Sequence, residues 1–399
     1  MNNQRVILHC DCNSFFASVE AIDHPEYKKI PMAVGGDPQA RHGIILAKNE
    51  LAKAYKIQTA ETLWQAKRKC PQLLIVPAHH EKYEQVSKAI NNIYQQYTDR
   101  VEPFSVDESW LDVTGSQHLL GTGKEIADEL RKRIREEIGV TISAGVSFNK
   151  TFAKLGSDYK KPDATTVITP DNFKTILWPL PIEDMLFVGK ATAEVLRIWH
   201  ITTIGELAQT PKAKIEKILG KNGIGIWEQA NGIDDSEVAL STYEYVPKSV
   251  SRMETYDHDL FDTEEVKTGL LNLSDDVAAT LRKQQRYAGV ITIQIKDAKM
   301  KVLQKKKKLV RKTDLAKEIY NIAWQLVDRN WDRSNGIRML TVGLSDLSNS
   351  DDQQLDLFTD DQRAQQTEDL EHTFDTIRKR FGDSAVKYAR SSKIKKKEE

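Results

Sequence analysis

Apolar positions along the chain alternate between two periods, and the switches between them mark out elements. Residues 5–11 form a short apolar run that reads as a buried strand. In 81–98, Val86, Ile90, Ile93 and Tyr97 recur at spacings of three and four, which predicts a helix with one apolar face. Residues 100–106 and 109–113 read as a hairpin. In 122–138, Ile126, Leu130, Ile134 and Ile138 recur every fourth residue and predict a second helix, and 140–147 predicts another strand. The order is β-α-β-β-α-β, the split arrangement in which strand three lies between strands one and two.

That topology carries a consequence. Strands one and two run parallel, so the end of the first, at Asp11, emerges on the same sheet edge as the turn joining strands two and three, which holds Asp107 and Glu108. Three carboxylates far apart in sequence are thereby expected together. Between the first strand and the first of these helices lies an insertion, 14–78, far longer than the roughly 12–15 residues a structureless loop usually spans, so it is expected to be a small subdomain.

Beyond residue 170 the pattern becomes short helices broken by glycine. Val188-Gly189-Lys190 precedes a helix at 191–199, and Gly220, Gly223 and Gly225 precede another. Such hairpins point backbone N–H groups at an anion, although helix C-caps carry the same residues. A separate domain is expected over 245–346: a strand at 248–253, a helix at 263–283 with Val266, Leu270, Leu273, Val277 and Leu281 on one face, a strand at 288–297, a helix at 313–331 and a strand at 337–344. Ile291, Ile293 and Ile295 share one face of the middle strand, and Thr292, Gln294 and Lys296 share the other. The polar face would suit a duplex backbone, with Lys248, Ser249, Arg252 and Lys296 as candidate contacts. From 347 onward the chain is polar and acidic, then has a short helical pattern at 367–381 and a basic end.

Composition narrows the class. With 399 residues, two to four domains of about 100–150 residues are expected. The hydrophobic share of 40% and charged share of 29% are those of a soluble globular chain, with no apolar run of about 18 residues. No membrane association and a cytoplasmic location are expected, as the N-terminus has no signal-peptide pattern. Cys10, Cys12 and Cys70 suit neither a disulfide framework nor a zinc site. The net charge of zero hides a split: Lys299, Lys301, Lys305 to Lys308, Arg311 and Lys312 crowd one stretch, and Asp351, Asp352, Asp356, Asp360 and Asp361 another. Each also reads as a solvated run.

Asp11, Asp107 and Glu108 are hard oxygen donors of the sort Mg²⁺ takes together with phosphate oxygens. An Asp-Glu pair in a turn is also commonly just solvated, so the topology is what singles these out. The surrounding residues add more. Asp11-Cys12-Asn13-Ser14-Phe15-Phe16-Ala17-Ser18-Val19-Glu20 and Ser105-Val106-Asp107-Glu108-Ser109-Trp110-Leu111-Asp112-Val113-Thr114 resemble the two metal-binding motifs of the Y-family DNA polymerases. Ser143-Ala144-Gly145-Val146-Ser147, Asn149-Lys150, Ala153-Lys154 and Ser157-Asp158 through Lys161-Pro162 resemble that family's third block. The likeness runs over about 5–358 and is nearest to the DNA polymerase IV, or DinB-like, branch found in bacteria.

This resemblance implies an α+β right-hand fold: a ferredoxin-like β-α-β-β-α-β palm (1–13 and 78–170), small fingers (14–77), a helical thumb (171–240) and a separate α/β little-finger domain (245–346), followed by a flexible tail (347–399). It implies template-directed addition of dNTPs to a primer 3′ end, with low fidelity and translesion synthesis in DNA repair. Two Mg²⁺ ions would be held by Asp11, Asp107, Glu108 and the backbone carbonyl of Cys12. Phe16 takes the place of the steric gate against a 2′-hydroxyl, Phe15 packs beside it, and Lys161 falls where a lysine meets the triphosphate. Gly189 and Lys190 in the first thumb hairpin would meet the DNA backbone.

The chain departs from the family at Glu50 and Lys53, where a Tyr and an Arg usually grip the phosphates, at Ala47, which replaces a hydroxyl residue, and at Phe187, where the hairpin often has glycine. Lys53 keeps the charge without the bidentate fork of arginine. Gln354-Leu355-Asp356-Leu357-Phe358 resembles the peptide that docks on the sliding clamp (beta subunit), with Gln354, Leu355, Leu357 and Phe358 as anchors. The resemblance thus implies primer-template DNA, dNTPs and the clamp as partners of a monomeric enzyme. Two other classes compete. A nucleotide cyclase shares the palm, and Gly35-Gly36-Asp37 is faintly similar to its glycine turn, without the acidic residue that should follow. A catalytically weak DNA-binding accessory protein recruited to the clamp would fit the altered 47–53 segment, but not three intact carboxylates.

Overall fold

The computed structural model describes residues 5–36, 43–243, 245–349, 361–382, 385, 386 and 388. It divides into two units, Met1–Glu244 and Tyr245–Glu399.

In the first unit, β1 (Ile7–Cys12) leads to α1 (Phe15–Asp23), β2 (Met32–Gly35), β3 (Ile45–Lys48), α2 (Glu50–Ala54), α3 (Leu63–Lys69) and β4 (Leu74–Pro77). There follow α4 (His80–Tyr94), β5 (Val101–Pro103), β6 (Glu108–Asp112), α5 (Gln117–Leu120), α6 (Gly123–Arg133), β7 (Ile142–Ser147), α7 (Lys150–Tyr159) and β8 (Thr165–Val167). The main sheet has the order β5-β6-β1-β7-β8, so the four expected strands take the split arrangement. β1 is antiparallel to both β6 and β7 and buried along its whole length. Leu8, Cys10 and Cys12 turn into the core shared with α1, α4 and α6, while Ile7, His9 and Asp11 alternate to the other face. That other face is covered by α7, whose Ser157 hydroxyl lies 2.8 Å from His9 Nδ1.

The periodicity reading did not mark α7 or β8. α7 is capped by Asn149, whose side chain accepts from Phe152 N, and what it buries is mostly small or polar: Thr151, Ala153, Gly156 and Ser157 beside Phe152 and Leu155. It lies backbone-to-backbone on β7: a Cβ on Gly145 would come 1.9 Å from Ala153 O. The fourfold spacing in α6 has its own explanation. Such a stripe drifts around an α-helix of 3.6 residues per turn, and the chain corrects it with a wider π turn over 134–138, where Gly139 N donates to Ile134 O at 3.1 Å.

The insertion divides. Phe15, Ala17 and Val19 of α1 join the main core, whereas the short strands form a separate sheet, β3-β2-β4, over its own cluster of Ala33, Ile45, Ala52, Ile57, Leu63, Ala66, Cys70 and Leu73. The remainder of this unit is the helical group α8 (Phe173–Leu177), α9 (Lys190–Ile198), α10 (Ile204–Gln209), α11 (Lys212–Leu219) and α12 (Lys221–Ala230).

The second unit comprises β9 (Ser249–Leu260), α13 (Thr263–Lys283), β10 (Tyr287–Asp297), β11 (Val302–Thr313), α14 (Ala316–Asn330), β12 (Ile337–Ser348) and α15 (Asp361–Phe381). Its antiparallel sheet has the order β11-β10-β12-β9. The lysine run, read from sequence as a charge cluster, is the edge strand β11; consecutive lysines point to both faces, so no alternation betrays it, and they discourage pairing with a further strand. The five apolar residues expected on one face of α13 are all buried, as are Ile291, Ile293 and Ile295.

Docking of α15 relies on charge. Arg282 of α13 is buried; its guanidinium donates to Glu371 Oε2 at 2.5 Å, to Asp375 Oδ2 at 2.6 Å and to Asp314 O at 3.0 Å. Arg378 pairs with both carboxylate oxygens of Asp275. Glu371 also accepts from Ala316 N and Lys317 N, capping α14, where the residue before the helix, Leu315, has no side chain able to do so.

Candidate active site

Strand pairing brings the acids together. Asp11 stands directly opposite Glu108 in the β1–β6 register, both on the face covered by α7. Asp107 occupies the turn before β6, and its carbonyl accepts from Cys12 N at 3.0 Å. Asn13, one residue past β1, is almost fully buried and ties three segments together: Nδ2 donates to Ser143, and Oδ1 accepts from Thr141 and from Asp163 N at 2.9 Å. The last of these bonds holds the loop after α7 that carries Lys161.

Two lysines neutralise the acids. Lys161 Nζ lies 2.7 Å from Asp11 Oδ2 and 2.7 Å from Asp158 Oδ1. Lys154 Nζ lies 2.8 Å from Glu108 Oε1. Burial pushes the Asp11 carboxyl well above its usual range, and the neighbouring Glu108 adds to this while Lys161 opposes it. Glu108 moves the other way: burial raises it, but hydrogen bonds from Asp11 and Lys154 outweigh that and hold it low. The two titrate as a pair, with Asp11 shifted upward and Glu108 downward. Burial also raises Asp107, against the Ser105 hydroxyl that donates to its Oδ1 at 2.7 Å. Burial disfavours the Lys161 ammonium, yet Asp11 and Asp158 raise it overall.

Among the described residues, no three Asp, Glu, His or Cys side chains are gathered closely enough to ligate one ion unaided. Asp11 and Glu108 form the close pair, and Asp107 is turned to Ser105. The donor set nevertheless fits a hard divalent cation: it is all oxygen, crowded enough to raise Asp11, and sits where phosphate oxygens of a nucleotide could complete the shell.

Around the acids, Ser14 adopts the left-handed φ of 50° and starts α1, which begins with the two phenylalanines. Phe15 is 3% exposed, so its ring belongs to the core and supports its neighbour from behind. Phe16 is half-buried and stacks on Tyr83 of α4, with centroids 4.2 Å apart and planes 13° apart. Glu50 and Lys53 are bonded to each other at 2.5 Å, and Ser14 Oγ donates to Glu50 Oε1 at 3.3 Å. Lys53 thus has its ammonium partly satisfied by the residue that replaces the usual tyrosine.

In the helical group, Gly189 starts α9 with open space where a Cβ would be, and Lys190 is exposed beside it. Phe187, where such hairpins often have glycine, adopts φ 67° with its ring 67% exposed. The backbone keeps the glycine-favoured conformation at a cost of about 1–2 kcal/mol.

In the second unit, register sorts the candidate DNA contacts. Thr292, Gln294 and Lys296 pair with Gly343, Thr341 and Met339, and these with Ser251, Met253 and Thr255, making one open face that Ser249, Lys306 and Lys308 share. Arg252 pairs with Val342 on the helix-covered side and donates to Thr280 at 3.2 Å, so it lies on the opposite face from Ser249 and Lys296. Lys248 precedes β9 and is exposed. Gln354, Leu355, Leu357 and Phe358 lie outside the described residues.

The sequence reading left Lys154, Tyr83 and Glu20 without roles. Tyr83 lies three residues before Val86 and seven before Ile90, on the same predicted stripe. Lys154 and Glu20 lie within the family-like motifs, but only their partners across the sheet or between helices disclose what they do.

Comparison with known proteins bears on the whole chain. Residues 10–158 match the impB/mucB/samB family, and residues 247–357 match the C-terminal domain of that family. DNA polymerase IV of Acetivibrio thermocellus is 45% identical over 385 residues, covering 96% of each chain. DNA polymerase IV 2 of Bacillus subtilis is 36% identical over 395 residues, covering 97% of this chain and 94% of its own. The fold is that of a solved Y-family DNA polymerase chimera, with a TM-score of 0.75 at 23% identity over 86% of this chain and all of the other. No helix among the described residues is long and apolar enough to cross a membrane. With Asp11 and Glu108 facing one another across the central strands and relatives of the same activity spanning nearly its full length, the chain belongs to the impB/mucB/samB family of bacterial Y-family, translesion DNA polymerases, metal-dependent enzymes that act on DNA and dNTPs.

Proposed function

We propose that Asp11, Asp107 and Glu108, with the Cys12 carbonyl, hold two Mg²⁺ ions that serve nucleotide addition, and that the observation carrying this is the facing of Asp11 and Glu108 in register with Asp107 in the adjoining turn. When bound, such ions would supply a lowered pKa for the primer 3′-hydroxyl and positive charge against the departing pyrophosphate. The chain's own groups prepare for this. Ligation needs Asp11 ionised beside Glu108, which burial and the neighbouring acid oppose and a cation's charge would favour. Lys161 leaves Asp11 for the triphosphate, still steered by Asp158 2.7 Å away. Lys154 remains on Glu108 and fixes its rotamer. Phe16 meets the sugar with an aromatic edge that leaves no room for a 2′-hydroxyl, with Phe15 behind it. Lys53 adds charge near the phosphates, weakened by its bond to Glu50.

The architecture supports a palm over 1–13 and 78–170, with α1 sharing its core, fingers over 14–77, a thumb over 171–240 and a little finger over 245–346. Gly189 and Lys190 of the thumb would receive backbone phosphates; Ser249 and Lys296 on the open sheet face, and Lys248 beside it, would do so from the little finger. The peptide 354–358 would tether the monomeric enzyme to the sliding clamp, offsetting a weak grip on DNA through effective concentration. The decisive experiment is primer extension by Asp107→Ala with Mg²⁺ and dNTPs, alongside a DNA-binding measurement. Synthesis is expected to be lost with binding retained; extension at the normal rate would remove Asp107 from the metal site.

A further inference from the structure

Glu20 is a carboxylate on α1 that no step above uses, and it is only 2% exposed. It lies one helical turn after Phe16, so both project from the same side of α1. Its Oε1 accepts a hydrogen bond from the Tyr83 hydroxyl at 2.6 Å and lies 2.9 Å from His79 Nδ1. Its Oε2 faces Lys82 Nζ at 3.7 Å. The three partners are His79, which precedes α4, and Lys82 and Tyr83 of its first turn, so a single buried acid on one helix gathers the start of another.

A buried carboxylate is costly unless each oxygen has a partner, and this one has partners enough to be fixed in place. What it fixes is the ring of Tyr83. That ring is 1% exposed, and its face lies flat against Phe16, 4.2 Å away with a 13° tilt. His80 meets the Phe16 ring edge-on at 5.9 Å and Tyr83 at 5.8 Å, closing the cluster from the side. Phe16 is half-buried and lacks any polar anchor of its own. Stacked rings slide easily along each other, because offset geometries have similar energies; a hydroxyl bonded at 2.6 Å stops the slide at one end of the stack.

We infer that Glu20 is a positioning residue for sugar discrimination: by holding the Tyr83 hydroxyl it sets the lateral position of the Phe16 ring, and so how much space a 2′-substituent finds. The inference rests on Phe16 being the gate. Glu20 touches neither nucleotide nor primer, and it acts through two rings. Loss of the anchor frees the stack to shift by a fraction of an ångström, which selectivity built on steric contact registers strongly while addition of deoxynucleotides does not.

The test compares wild type with Tyr83→Phe, Glu20→Ala, Glu20→Gln, the Tyr83→Phe/Glu20→Ala pair and Phe16→Ala, reading kcat/KM for dCTP and for CTP opposite template guanine. Tyr83→Phe keeps the ring and removes only the hydroxyl, so it stands even if Glu20→Ala folds poorly. Tyr83→Phe and Glu20→Ala should each lower the dCTP/CTP ratio about tenfold, with dCTP incorporation within about threefold of wild type. The double variant should lose no more than either single, the signature of one shared interaction. Glu20→Gln keeps an acceptor oxygen and should recover most of the ratio. If Phe16→Ala collapses the ratio while Tyr83→Phe leaves it at the wild-type value, the anchor is overturned and the gate stands. If Phe16→Ala itself leaves the ratio unchanged, the gate reading falls and this inference falls with it.

Discussion

Replacing Gly145 by alanine tests how α7 delivers its lysines. Gly145 lies on β7, paired with His9 on the face that α7 covers. An added Cβ would lie 1.9 Å from Ala153 O and 2.4 Å from Ser157 N, both backbone atoms of α7. Ordinary contact needs about 3.5 Å, so the helix must lift by about 1.5 Å at that point. No side-chain rotation can absorb the clash. Overpacking of this kind costs about 1–3 kcal/mol, and with backbone on both sides the upper end is expected. For a unit of this size, about 3 kcal/mol lowers the melting temperature by roughly 6–12 °C. The displaced helix carries Lys154, 2.8 Å from Glu108, and leads to Lys161, 2.7 Å from Asp11. A misplacement of about 1 Å near reacting groups costs about a hundredfold in rate. Single-turnover dNTP incorporation and a thermal melt measure the two effects, with Gly115→Ala as the control because open space surrounds that position. An alanine variant that melts like wild type and incorporates within about twofold of it would refute this packing and the role assigned to α7.

Arg282→Ala should destabilise the second unit by about 3–5 kcal/mol, since Glu371 is left as an uncompensated buried charge; a loss below about 1 kcal/mol in urea unfolding would show that α15 does not depend on it. Lys306→Gln with Lys308→Gln, on the open sheet face, should reduce the dependence of log Kd for DNA on log salt by about two, whereas Lys307→Gln, whose ammonium reaches Gln325 on the helix side, should not. An equal effect from Lys307 would remove the face distinction. Because burial raises the Asp11 carboxyl to about 7, protons compete with a cation there, and the Mg²⁺ concentration for half-maximal extension should fall as pH rises from about 6 to about 8, by at most about tenfold per unit; a constant half-saturation point would contradict the raised carboxyl.

Much of this protein follows from local pattern. The alternation in 288–297 and the helical stripes in α4, α6 and α13 report a segment's own environment, because one side of each meets core and the other water. Chain order then implied the meeting of Asp11 with Glu108, since a split β-α-β-β-α-β sheet has few ways to be connected. Other features left no such trace. α7 buries small and polar residues against bare backbone, so it shows no apolar stripe, and the lysines of β11 face both ways on an edge. Whether Arg252 lies on the open or the covered face depends on strand register, which a single residue's slip would reverse. The cross-links of Arg282 to Glu371 and of Glu20 to Tyr83 join residues 89 and 63 positions apart. Periodicity records whether a position is wet or dry, but which charged or aromatic group it meets there is set only when distant segments pack, and at this site those meetings hold the acids, the lysines and the aromatic stack in place.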